Sequence, residues 1–102
     1  MAKVNTIILT KSGAGLADVD EARTAIQTVI NNAAYLAHMK SLRDAGTMTA
    51  VETFNAASQT YKVVRTFDND VFTTWNTDKA ADQATHKTAL ESAGWTATST
   101  VV

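Results

Sequence analysis

The order in which strand-type and helix-type hydrophobic patterns follow one another is the feature that most constrains this chain. Short runs with apolar or threonine residues at every second position indicate strands, and longer runs with apolar residues three and four apart indicate helices. These runs alternate as β-α-β-β-α-β within 102 residues. A chain of this length forms one domain, so we predict a single domain over residues 1–102.

Four of the segments are predicted strands. The second and third are separated by a short polar loop at 55–59, which favours a hairpin. In the first strand, Asn5, Ile7 and Leu9 share one face. The predicted strands are Val4–Thr10, Thr49–Phe54, Thr60–Phe67 and Trp95–Val102.

Two helical segments connect these strands. In the first, Asp18 can cap the helix, Glu21 can complete a capping box, and Gly46 ends a helix of about 25 residues. The pair Asn31–Asn32 offers an alternative in which this segment is split in two. The second segment starts at 68–70, is interrupted at 76–78 with Asp78 as a new cap, and continues to Gly94.

This order predicts an α+β fold of the two-layer split βαβ, or ferredoxin-like, type. Short connections and right-handed crossovers place two helices on one face of an antiparallel sheet. Threonines alternate along the predicted strands, as at Thr96, Thr98 and Thr100. Two interpretations of the threonine-rich side stay open: it is a solvated face, or it is a face or edge that pairs with another copy of the chain.

Composition excludes several classes of protein. Nine basic residues against ten acidic ones give no clustered charge for nucleic acid, and no polybasic signal for a membrane surface. The chain has no Cys, which removes disulfides, thiolate catalysis and cysteine zinc sites. No secretory signal or membrane span is visible in the sequence, and we expect a cytoplasmic protein, or a virion component if its source is viral.

Two motifs only superficially resemble ligand sites. The turn Gly13–Gly15 lies between a strand and a helix, but Asp18 occupies the place of the third glycine of a dinucleotide fingerprint. Asp68, Asp70 and Asp78 resemble a calcium loop that lacks its central glycine. A flexible turn and helix capping, respectively, account better for them.

A few residues are candidates for chemistry. Asp82 and His86 are four apart on a helix, so the carboxylate can orient the imidazole, or the two form an ordinary surface pair. His38 is expected at the surface. Arg65 shares a strand face with apolar residues and needs a partner. It either extends outward from the strand end or binds an anionic ligand or a subunit carboxylate. Trp75 is expected in the core.

The run YKVVRTFDNDVFTTWNTDKAADQATHKTALESAG at 61–94 resembles a segment of the dimeric α+β barrel superfamily, which includes antibiotic-biosynthesis and haem-degrading monooxygenases. The shared features are a strand ending in an aromatic residue, a capped helix with an internal Trp, and a His about three turns later. For the haem-degrading branch, the resemblance implies catalytic roles for Asn5, Trp75 and His86, with haem as cofactor. The spacing from Trp to His is one residue longer than that branch usually shows.

Three functions follow as hypotheses. The first is a non-enzymatic structural or interaction protein that assembles with itself or with another structural protein, and the Ala- and Thr-rich composition suits a virus or phage component. The second is a barrel-type enzyme that uses Asn5, Trp75 and His86 on haem or a small aromatic substrate. The third is a small-ligand binding module in which Arg65 meets an anion. No metal site is predicted.

Overall fold

A computed structural model describes residues 2–102, which form four strands and four helices. The predicted α+β class is confirmed, and the strands end within two residues of their predicted limits. The elements in chain order are β1 (Ala2–Thr10), α1 (Val19–Ile30), α2 (Ala33–Asp44), β2 (Met48–Asn55), β3 (Thr60–Asp68), α3 (Asn69–Asp78), α4 (Ala80–Ser92) and β4 (Thr96–Val101).

The four strands form one open antiparallel sheet in the order β2-β3-β1-β4. β2 and β3 are joined by the expected short loop and pair along their lengths, from Met48 opposite Phe67 to Asn55 opposite Thr60. β1 lies between β3 and β4. Each pair of helices therefore connects two strands that have one other strand between them.

One face of the sheet packs against the helices, and its buried residues belong to two clusters. Arg65 lies on this inner face between Val63 of the first cluster and Phe67 of the second. The first cluster consists of Leu9, Ala22, Ile26, Tyr61, Val63, Leu90 and Trp95. The second consists of Tyr35, Met39, Met48, Phe67, Phe72 and Trp75.

The first helical segment is split at the asparagine pair, as the alternative interpretation predicted. Asn31 ends α1 in the left-handed conformation with φ 43°, which asparagine tolerates better than most residues. Asn32 then caps α2, because its Oδ1 accepts the backbone N–H of Tyr35 at 3.0 Å. At the start of α1, Asp18 accepts from the N–H of Glu21 as expected, whereas the Glu21 carboxylate accepts from Ala17 at 3.4 Å instead of closing a capping box.

The second helical segment breaks later than predicted. α3 continues through Asp78, and the break falls at Lys79, where no side chain caps α4. The expected cap at Asp78 is therefore wrong. The pattern at 76–78 is helical because α3 is held by Phe72 and Trp75, which are buried in the second cluster, and tertiary packing outweighs the weak helix propensity of Asn, Thr and Asp.

Glycine ends both helical segments as predicted. After α2, Gly46 has φ 75°, and its N–H and that of Thr47 bond to the carbonyls of Arg43 and Leu42 at 3.0 and 3.1 Å. These two bonds form the Schellman motif, which requires a left-handed residue and therefore favours glycine. Gly94 ends α4 with the same pair of bonds.

The outer face of the sheet carries most of the threonines. Two exposed aliphatic side chains lie between these threonines: Val51, which is 62% exposed, and Ile8. The outward-facing residues are Val4, Thr6, Ile8, Thr10, Thr49, Val51, Thr53, Asn55, Thr60, Lys62, Val64, Thr66, Asp68, Thr96, Thr98 and Thr100.

In the described range 2–102, no helix has the length and apolar character needed to span a membrane.

Candidate functional site

A cavity of about 370 Å³ lies between the inner sheet face and helices α1, α2 and α4. We call it the inner cavity. A second space of about 550 Å³ shares Arg23, Tyr35 and Arg65 with it, and we call this the adjoining cavity. Volumes in this range accommodate small organic ligands. The inner cavity has mainly aliphatic walls, formed by Ile7, Leu9, Ile26, Ile30, Leu36, Val63 and Leu90.

Basic residues outnumber acidic ones in the walls of the two cavities, although Arg23 is paired with Asp20 and Glu52 and Lys40 is paired with Asp44. The walls of the inner cavity include Arg23, Arg65 and Lys87 but no Asp or Glu from the described residues. The adjoining cavity adds Lys40 and Arg43, and Glu52 is its one carboxylate within residues 2–102. Five of the nine basic residues but only one of the ten acidic residues therefore line this region, although the whole chain has a net charge of -1.

Arg65 is a half-buried cation on the inner face of the central strand β3. It lies opposite Asn5 of β1 and Ala50 of β2, three residues before the end of β3. Its Nη1 donates to the phenol oxygen of Tyr35 at 3.2 Å, and it forms no salt bridge with any residue that the structure describes. A partly buried guanidinium without a carboxylate has an incompletely compensated charge.

His86 enters the inner cavity from α4 and is only 8% exposed. Burial lowers the pKa of its imidazole; the nearby Arg65 lowers it further, and Asp82 one turn earlier opposes the shift. The Nε2 atom lies 3.3 Å from Nδ2 of Asn32. The ring meets Tyr35 edge-on, with the ring centroids 4.7 Å apart, so Tyr35 touches both His86 and Arg65.

A second polar group joins α1 to the sheet beside the cavities. The Arg23 Nε donates to both oxygens of Glu52 at 3.0 and 2.8 Å, and the Tyr61 hydroxyl donates to Glu52 as well. Burial and then the bond to Glu52 raise the pKa of the Tyr61 phenol. Burial alone would raise the pKa of Glu52, but the bonds from Arg23 and Tyr61 outweigh it and the pKa is lowered. The charges of this network are paired within it, and it does not include Arg65.

The structure brings together only some of the residues predicted from sequence. Arg65 and His86 line the same cavity. Asn5 is 2% exposed and lies next to it, because its Nδ2 donates to the cavity residue Ser99 at 3.0 Å. The Oδ1 of Asn5 is buried without a hydrogen-bond partner in the described chain. Trp75 does not line either cavity.

Trp75 lies in the second core cluster, where it is 2% exposed. Its indole Nε1 donates to the sulfur of Met39 at 3.0 Å, and its ring stacks at a tilt on Phe67 with centroids 4.7 Å apart. Asn5, Trp75 and His86 therefore do not surround one cavity. This arrangement does not fit a haem held by all three residues.

Two further motifs from the sequence are the glycine turn at 13–15 and the aspartates at 68, 70 and 78. The loop with Gly13 and Gly15 is held by Gln59, whose side chain exchanges hydrogen bonds of 2.8 and 2.9 Å with the backbone of Leu16. Asp68 stands at the N-cap of α3, although its side chain makes no capping bond. Across residues 2–102, no three His, Asp or Glu side chains cluster in a way that could hold a metal ion.

Several residues of the site had no sequence signal that marked them as functional. Arg23 and Tyr35 look like ordinary members of amphipathic helices, and Glu52 and Tyr61 like ordinary strand residues. Asn32 was visible only as a helix break. The contact between Asn32 and His86 joins positions 54 apart in the chain, which no local pattern reveals.

Comparison with known proteins gives no relative: no family model, curated protein or solved structure matches this chain. The resemblance of residues 61–94 to the dimeric α+β barrel superfamily stays a prediction.

Proposed function

We propose that this chain binds a small anion with an apolar body in the inner cavity. The observation that carries the proposal is Arg65, a partly buried cation whose described partners are neutral. The aliphatic walls around it suit a hydrocarbon or aromatic body. This is the ligand-binding hypothesis, in which Arg65 meets an anion.

Charge distribution supports the same ligand class. A neutral apolar ligand would leave the charge of Arg65 without compensation, whereas an anion would neutralise it inside a site of reduced dielectric constant. Arg43 and Lys87 also form no salt bridge within the described residues, so they add to the positive potential at the cavity walls. A guanidinium offers several N–H donors in one plane, which suits a carboxylate.

The test compares octanoate and phenylacetate with their uncharged amides. Thermal unfolding and calorimetry should show that the acids bind, and a ligand at about 100 times its Kd should stabilise the fold by about 2.7 kcal/mol. The Arg65→Met variant should lose about 10-fold or more in affinity for the acids. Lys62→Met is the matched control, because Lys62 is an exposed cation on the opposite face of the same strand.

Two outcomes would count against the proposal. If neither acid changes the unfolding temperature or gives a binding heat, the cavity does not bind this class of ligand. If the amides bind as tightly as the acids, or if Lys62→Met weakens binding as much as Arg65→Met, the anion is not recognised by Arg65.

The finer fold assignment is part of the proposal. The strand order β2-β3-β1-β4 becomes β4-β1-β3-β2 when it is read from the other edge, and this order supports the split βαβ, or ferredoxin-like, arrangement.

A barrel-type enzyme is the alternative function, in which His86 acts on a ligand in the inner cavity.

Self-association is a second candidate function, and the outer sheet face favours it. The exposed Val51 and Ile8 lie there with Val4 and Val64 among threonines, on the side of the sheet opposite the helices. We propose that a second copy of the chain covers this face, which would suit a structural role in a virion or another assembly. Light scattering should give a dimer or larger mass that Val51→Lys reduces, and a monomer at all concentrations would refute it.

A further inference from the structure

The break between α1 and α2 determines which way the Asn32 amide points. Oδ1 of Asn32 accepts the N–H of Tyr35 at 3.0 Å as the N-cap of α2. The other amide atom must then be the NH₂ group, and this is the atom 3.3 Å from Nε2 of His86. An amide nitrogen donates and does not accept.

The tautomer of His86 follows from that contact. Because Nδ2 of Asn32 is a donor, Nε2 of His86 must be the acceptor, so the proton of the neutral imidazole is on Nδ1. Burial and Arg65 favour this neutral form, against the opposing effect of Asp82, by lowering the pKa of the ring. A doubly protonated ring would place two donors against each other and lose the bond to Asn32.

The Nδ1–H group is available to a ligand. It makes no hydrogen bond to any described residue, and it is not among the polar atoms of 2–102 that are sealed from solvent without a partner. The same holds for Nε and Nη2 of Arg65. Tyr35 connects the two residues, since it accepts from Arg65 and packs edge-on against His86.

We propose that Arg65 and the Nδ1–H of His86 together bind the carboxylate end of the ligand, and that Asn32 is the positioning residue that keeps His86 a donor. This rests on the proposed function and assigns its polar contacts. One guanidinium and one neutral imidazole supply donors from two different elements, β3 and α4. The cap at Asn32 is then part of the binding site, because a continuous helix would not use Asn32 as a cap.

Asn32→Asp is the sharpest test. Aspartate caps helices as well as asparagine, but it presents an oxygen to Nε2, so neutral His86 must move its proton to Nε2. NMR of ¹⁵N-histidine-labelled protein at pH 8 should show the Nδ1–H tautomer in the wild type and the Nε2–H tautomer in the variant, with His38 as the reference ring. Octanoate affinity should fall about 10-fold or more, and it should recover on acidification, when the ring carries both protons.

Asn31→Asp is the matched control, since it adds the same charge one residue away at a position whose side chain makes no hydrogen bond in the described structure. It should leave both the tautomer and, within about 2-fold, the affinity unchanged. If Asn32→Asp does not fold by circular dichroism, Asn32→Ser caps the helix but lacks the amide NH₂ group that reaches His86, and it should give mixed tautomers and weaker binding.

Three results would overturn the inference. An Nε2–H tautomer in the wild type refutes the role of Asn32. A tautomer change in Asn32→Asp without loss of affinity refutes the His86 contact but leaves anion binding at Arg65 intact. A wild type that binds neither octanoate nor phenylacetate refutes the proposed function and this subsite together, whatever the tautomer is.

Discussion

Replacing Trp75 by Phe separates a core role from a ligand-binding role for this residue. The indole is 2% exposed, contacts Phe67 and Phe72, and donates to the sulfur of Met39. Phenylalanine removes roughly three buried ring atoms at about 0.8 kcal/mol each, together with a bond worth about 0.5–1.5 kcal/mol. We expect the free energy of unfolding to fall by about 3 kcal/mol.

For a domain of this size, that loss lowers the unfolding temperature by roughly 10–20 °C. Urea and thermal unfolding followed by far-ultraviolet circular dichroism measure it without depending on the indole signal. Thr74→Ser, at the exposed neighbouring position of α3, is the control and should change stability by less than about 0.5 kcal/mol. Octanoate affinity should be unchanged where both proteins are folded. Unaltered stability with abolished ligand or haem binding would refute the reasoning.

Two further changes test the polar groups. Because burial holds the pKa of His86 in the folded state below its unfolded value of about 6.5, the unfolded chain takes up this proton first. The stability that this pKa shift contributes should therefore be fully present above about pH 6.5 and should be lost as the pH falls through the folded-state pKa. Urea titrations at pH 8 and 5.5 measure this loss, and the free energy of unfolding of His86→Gln should decline less between the two pH values than that of the wild type. An equal decline in both proteins would contradict this prediction. Glu52→Gln should lower the free energy of unfolding by about 0.5–1 kcal/mol at low salt, because the pairing of Glu52 with Arg23 is partly exposed. This loss should shrink at high salt. A loss that does not depend on salt would show that the pairing is not ionic.

The strand pattern predicted more of the site than any motif did. A period of two placed Arg65 on the same face as Tyr61, Val63 and Phe67, and the structure has that face against the helices. The face assignment follows from strand geometry alone. Asn31–Asn32 was visible as a break because asparagine favours caps and left-handed conformations over helix interiors.

The second helix break shows where local reasoning fails. Asn76, Thr77 and Asp78 have low helix propensity, which favoured a break before Asp78. In the structure α3 runs through Asp78, since the burial of Phe72 and Trp75 stabilises the helix by more than the few tenths of a kcal/mol per residue that propensity differences supply.

The sequence by itself determined the α+β class, the four strands with their faces, and the glycine ends of the helical segments, because these depend on side-chain period and backbone conformation. Only the tertiary structure decided that Asn32 meets His86, that Tyr35 joins His86 to Arg65, and that both cavities form away from the core residue Trp75. Those contacts join residues 30 to 54 positions apart. They form when the helices pack on the sheet, so no local pattern encodes them.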